Sequence, residues 1–132
     1  MRILMPLHNL AAWPGGMDLT RTIVGALRAA PQGPLDLQFA LPERHDGTPP
    51  SSGELARQVA ELTAGHAVVR CGGDGRSLMR AAVDIGAQVI FPTMTPVRGS
   101  HVRKVGYIFD FQHLDLPHLF PPEECDRRSQ TF

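Results

Sequence analysis

The sequence predicts an α/β fold, a doubly wound parallel sheet of about five strands with flanking helices. Two observations predict it. Apolar runs of strand length alternate along the chain with segments whose apolar residues recur at helical spacing, and glycine or proline punctuates the junctions. At 132 residues the chain is long enough for one domain with a real core and too short for two, so residues 1–132 are expected to form a single domain.

Arg2 to Leu7 is a nearly continuous apolar run, as expected of a strand buried on both faces, with Pro6 near its end. The loop H-N-L-A-A-W-P-G-G follows, and Leu19, Ile23, Val24 and Leu27 then mark a helix to Ala30. Leu35 to Leu41 alternates at period two, which predicts a second, less buried strand. Glu43 to Gly53 is polar and rich in turn residues. It reads as a long exposed connection, with Ser51 and Glu54 forming a capping box for the helix that carries Leu55, Val59 and Leu62. Ala67 to Cys71 is the third strand, Leu78 to Ile85 the third helix closed by Gly86, and Gln88 to Pro92 the fourth strand. A loop from Thr93 to Arg103 leads to a fifth apolar run within K-V-G-Y-I-F. Beyond Phe120, Pro121 and Pro122 begin a last short helix, acidic at Glu123 and Glu124 and basic at Arg127 and Arg128.

Thirteen basic and thirteen acidic side chains cancel, so the global charge points to neither nucleic acid nor an anionic membrane surface. No apolar run reaches the roughly 20 residues of a membrane span, so any membrane contact is expected to be peripheral. Cys71 and Cys125 lie far apart without metal-ligand spacing, and the first residues lack the pattern of a signal peptide. A reduced, cytoplasmic protein is the expectation.

Three stretches could carry chemistry. Gly15 and Gly16 stand where a strand gives way to a helix, so their amides could hold a phosphate; two glycines can equally make a tight turn. Trp13 beside them is either a lid or a core residue. C-G-G-D-G-R-S, Cys71 to Ser77, could also cradle a phosphate, yet it lacks the G-K-[ST] ending of a Walker loop, and Asp74 or Ser77 capping the next helix is the simpler account. Cys71 reads as a buried small residue, since nothing nearby would lower its pKa. The third stretch, D-F-Q-H-L-D-L-P-H-L-F, crowds Asp110, Gln112, His113, Asp115 and His118 behind an apolar strand. His113 could act as a base or as a donor to developing charge, with Asp110 orienting it; both could instead satisfy turn backbone. Metal binding by Asp110, His113 and His118 fits no familiar ligand spacing.

R-I-L-M-P-L, P-G-G-M, Q-V-I-F-P-T-M-T-P and V-G-Y-I-F-D-F-Q-H-L-D-L-P-H-L-F-P-P-E-E with R-R-S-Q-T-F together resemble the amino-terminal half of a GT-B glycosyltransferase of the group-1, retaining kind. The resemblance covers nearly the whole chain. It implies a Rossmann-like, acceptor-side domain facing a second domain across a cleft. It also implies a nucleotide-sugar donor and an acceptor as partners, with no bound cofactor or metal, in keeping with the lack of a D-x-D triad. Gly15 and Gly16, with Gln112, would then lie near donor phosphates and substrate, and His113 with Asp110 at the catalytic cleft edge. The family continues past the position of Phe132 into a donor-binding domain, so this chain is expected to be a truncated half that is inactive alone. An uncovered sheet edge would then invite dimerisation. The rival reading is a stand-alone, non-enzymatic Rossmann-like module that binds a nucleotide or a protein partner. A reading frame continuing past Phe132 into a second βα domain would separate the two. A flavodoxin-like flavin protein is a weaker third, because it needs a Ser/Thr-rich loop after the first strand.

Overall fold

The computed structural model describes residues 1–8, 14–31, 33, 35–43, 53–93, 96–99, 101–106 and 112–129. Its strands are β1 (Arg2–Pro6), β2 (Asp36–Pro42), β3 (Val68–Cys71), β4 (Val89–Thr93) and β5 (Arg103–Gly106). Helices α1 (Pro14–Ala29), α2 (Gly53–Thr63) and α3 (Gly75–Asp84) join the first four strands; α4 (Gln112–Asp115), a 3-10 turn (Pro117–Leu119) and α5 (Pro122–Ser129) follow β5. The strands form one sheet in the order β3-β2-β1-β4-β5, and every pairing is parallel. This is the Rossmann-like α/β architecture that the alternating pattern predicts. The order reverses between β1 and β4, and ligands in such sheets bind at the carboxyl edge of that switch.

β1 is central, and its side chains divide between two cores because successive residues point to opposite faces. Ile3, Met5 and Leu7 join Leu37 and Phe39 under α1 and α2, which contribute Met17, Val24 and Leu62. Leu4 turns the other way, to Ala40 and Ile90 beneath Leu78, Ala81 and Ala82 of α3. Burial on both sides is why the run reads as continuously apolar instead of alternating. β2 is more deeply buried than its alternation suggests. It lies between β1 and β3, so Leu37, Phe39 and Ala40 are all shielded.

Other expectations shift. The double glycine falls inside the first turn of α1 and not before it, because Pro14 already occupies the first helical position, where a missing N–H costs nothing. β5 covers Arg103–Gly106 and so takes in the first three residues of the expected K-V-G-Y-I-F strand; all four of its residues are exposed. Residues 107–111 lie outside the described set, as does Ser51 of the expected capping box. The segment read as a polar loop holds α4 and the 3-10 turn. α5 matches its charge pattern, for Glu124 pairs with both Arg127 and Arg128, and Arg128 also lies over the Phe120 ring at 4.6 Å.

The chain after β4 lies across the start of α3 at very short range. A Cβ on Gly75 would stand 2.1 Å from the Pro96 carbonyl oxygen and 3.1 Å from Val97 Cα, both backbone atoms that cannot rotate aside. Gly75→Ala should therefore destabilise the fold by about 1–3 kcal/mol in a denaturant titration, the usual range for overpacking. Gly25 in α1 has open space around its Cβ position. Gly25→Ala should raise stability by about 0.5–1 kcal/mol in the same assay, because alanine is the better helix former.

Candidate functional site

The carboxyl edge of the sheet gathers the segments that leave β1, β3 and β4. His8, just past β1, is half-buried, and its Nε2–H donates to the Cys71 carbonyl at 2.8 Å. A carbonyl only accepts, so this bond fixes the tautomer and leaves Nδ1 as the ring's lone-pair nitrogen. Nδ1 is closed to solvent and has no hydrogen-bond partner among the described residues. The ring lies against Gly73, where a Cβ would stand 3.0 Å from His8 Cδ2. On the other side of the same segment Pro96 sits on Gly75. The glycines of C-G-G-D-G thus admit parts of the protein itself.

Asp74 accounts for the polar remainder of that loop. Its Oδ1 accepts from the backbone N–H groups of Arg76 at 2.9 Å and Ser77 at 3.0 Å, and the Ser77 hydroxyl donates to Oδ2 at 2.6 Å. These bonds, first that from the Ser77 side chain and then that from its backbone, hold the Asp74 carboxyl below its ordinary value of 3.8. A carboxylate therefore already occupies the positive end of α3, where a phosphate would otherwise sit. Of the two sequence readings of this loop, the capping one describes it. Burial, and then the charges of Glu43 and Asp74, push the Cys71 thiol up, which keeps it protonated and a poor nucleophile.

The first turn of α1 is different. It contains no acidic residue, whereas α2 carries Glu54 and α5 carries Glu123 and Glu124 in theirs. Gly15 and Gly16 keep side chains away from its orphan amides. Thr20, fully buried, donates its hydroxyl to the Gly16 carbonyl at 2.6 Å and so satisfies itself within the helix. A helix start whose first turn carries no acidic residue, beside the β1/β4 switch, has the electrostatics that favour an anion.

The other sequence candidates are placed less fully. Gln112 and His113 open α4, but their side chains, like the whole of Trp13 and Asp110, lie outside the described residues. Asp115 and His118 are exposed, in α4 and the 3-10 turn. Among the described residues no group of three or more His, Cys, Asp or Glu side chains is placed to hold a metal ion. Sequence reasoning missed His8; its only signal was a histidine directly after the first apolar run. A hollow of about 220 Å³ lined by Leu27, Arg28, Leu35, Leu37 and His66 lies at the opposite, amino edge of the sheet. There His66 Nδ1–H donates to the Leu37 carbonyl at 3.0 Å while Nε2 meets the Arg28 guanidinium, a tie between helix end and strand.

No helix among the described residues is long and apolar enough to cross a membrane. No protein-family model matches the chain, and neither a curated protein nor a solved structure matches it.

The Asp74 cap makes a pH-dependent contribution whose sign is fixed. Its carboxyl is lowered on folding, so the stabilisation is complete at neutral pH and is lost as pH falls below about 4, through the depressed value. Asp74→Ala should melt at a lower temperature than the wild type at pH 7. The gap between the two melting curves should close as the pH is taken down toward 2; a constant gap would contradict the assignment.

Proposed function

We propose that this chain is the acceptor-side, Rossmann-like half of a GT-B glycosyltransferase, which moves a hexosyl group from a nucleotide sugar to an acceptor. The observation that carries the reading is the start of α1. It follows the central strand at the switch between β1 and β4, is opened by Gly15 and Gly16, and has no acidic charge of its own. The competing start, that of α3, is filled by Asp74.

Glycosyl transfer breaks the bond between the anomeric carbon and the donor diphosphate and makes one to an acceptor oxygen, whose proton must leave. Negative charge grows on the departing diphosphate, and backbone amides at a helix start stabilise such charge without reorganising. Gly15 and Gly16 are assigned that role, with Gln112 contacting donor or substrate. His113, oriented by Asp110, is assigned to position substrate at the cleft edge, as the D-F-Q-H resemblance implies. A second domain is needed to complete the cleft. Val105, Leu114, Leu116 and Leu119 are exposed by 47%, 60%, 40% and 64%, apolar surface of the kind that a covering domain would bury.

Two assays test this. Residues 1–132 alone should show no significant transfer from a panel of UDP- and GDP-sugars, because the proposed cleft takes its other side from a second domain. In a polypeptide that carries both this chain and a donor-binding domain, transfer should be measurable and should fall about a hundredfold or more with His113→Ala. Unchanged turnover in that variant removes His113 from the mechanism. A two-domain protein inactive toward the whole panel favours the non-catalytic module instead.

A further inference from the structure

The chain is neutral overall, yet its charge is not evenly spread. Residues 70–104 hold six basic side chains (Arg70, Arg76, Arg80, Arg98, Arg103 and Lys104) against two acidic ones (Asp74 and Asp84), an excess of four positive charges that the rest of the chain balances. The fold collects four of those six on one face. Arg76 and Arg80 are four residues apart on α3, hence on the same side of the helix, and both are exposed.

The segment after β4 brings the other two alongside. Pro96 sits on Gly75, and Gly99 sits on the Met79 side chain, where a Cβ would stand 3.1 Å from Met79 Cε. Those contacts run the segment along the Gly75–Met79 side of α3, which adjoins the side that carries Arg76 and Arg80, and Arg98 within it is exposed. Lys104 shares a register position with Ile90, which packs under α3, so its side chain emerges on the same face and its ammonium donates to the Gly99 carbonyl. Arg103 pairs in register with Val89 of the opposite core and belongs to the other face.

These cations also lack a carboxylate partner, as do Arg28, Arg70 and Arg103 elsewhere among the described residues. Arg2, Arg21, Arg57, Arg127 and Arg128 each pair with a carboxylate. Among the described residues Arg76, Arg80, Arg98 and Lys104 do not. Asp74 is turned to its own helix amides and Ser77, and Asp84, one turn beyond Arg80 on the same side of α3, offsets one of the four charges. Like charges carried on adjoining elements repel one another, and a multivalent anion relieves that repulsion. Guanidinium groups suit phosphate in particular, because their planar forks bind its oxygens in pairs.

We infer that Arg76, Arg80, Arg98 and Lys104 form a binding face for a phosphate-bearing ligand, distinct from the start of α1 and independent of whether the chain transfers sugar. The ligand's phosphates meet the side chains on the flank of α3, since Asp74 closes the helix end itself. A free di- or polyphosphate group and a layer of phosphate headgroups present the same chemistry to such a face. Nucleic acid fits it less well. Phe91, the one Phe, Tyr or Trp between residues 70 and 104, packs against the opposite core, so that stretch supplies no stacking platform to this face.

The test compares wild type, the double variant Arg76→Gln/Arg98→Gln, Lys104→Gln, and Arg21→Gln. Arg21→Gln is the control, because it removes one positive charge that is already paired with Asp18. Each protein is titrated at low salt with inorganic pyrophosphate and is separately sedimented with phosphatidylcholine vesicles, plain or containing roughly a third phosphatidylglycerol. Wild type should bind pyrophosphate, the anionic vesicles or both, with affinity that falls as salt rises. Vesicle binding should weaken by about fivefold for each cation removed from the face, and Arg21→Gln should bind as wild type does. Pyrophosphate binding without vesicle binding identifies a soluble phosphate ligand, and the converse a headgroup surface. The assignment is overturned if wild type binds neither probe, if Arg21→Gln loses as much as the face variants, or if a polynucleotide binds more tightly than both probes. Unchanged melting temperatures in the Gln variants show that any lost binding is not lost folding.

Discussion

The contact on which the carboxyl edge depends is the one between the Pro96 carbonyl and Gly75. It sets how close the segment leaving β4 comes to the helix leaving β3, a distance that only a residue without Cβ allows. Everything nearby inherits that closeness. Val97 reaches the second core, Gly99 rests on Met79, and Arg98 is carried to the flank of α3. On the far side of the same loop His8 closes on Gly73 and on the Cys71 carbonyl. A segment that resembles a phosphate cradle in sequence is therefore a junction at which three strand ends are packed together.

That packing divides the electrostatic work of the edge. The amides at the start of α3 face a carboxylate from their own chain, while those at the start of α1 meet no acidic side chain from its first turn. Positive charge on the α3 side comes instead from exposed side chains that have no carboxylate partner among the described residues. On the proposed readings an anion approaching this edge would meet two different settings. One is backbone amides beside the sheet's switch point, assigned to a diphosphate, and the other is a fork-bearing surface open to solvent. A neutral total charge conceals both.

Much of the fold was legible in the sequence because it is written locally. Ile3 to Leu7 and Val89 to Pro92 are apolar on both faces, and helical periodicity marks α1, α2 and α3 without reference to anything distant. The failures have physical causes. β5 was expected within K-V-G-Y-I-F and takes in its first three residues, yet Arg103 to Gly106 are exposed, because a strand paired on one side with β4 can leave its side chains in water. Gly15 and Gly16 were read as loop because glycine usually breaks helices, and Pro14 overrides that by starting one. The site was less legible than the fold, for its parts meet across the chain. His8 and Cys71 are 63 residues apart, and no spacing in the sequence announces that a ring will lie on Gly73. Asp74 was an exception, since a cap lies within three residues of what it caps.

The central claim is that the two glycine-bearing helix starts of this edge do different work, α1 receiving an anion and the Cys71–Gly75 loop receiving protein. The most direct measurement is a titration of isotope-labelled chain with UDP, followed through the backbone amide resonances of the glycines. The account predicts that the Gly15 and Gly16 amides shift progressively and saturate while those of Gly72 and Gly73 stay where they are. Saturating shifts at Gly72 and Gly73, with Gly15 and Gly16 unmoved, would contradict it.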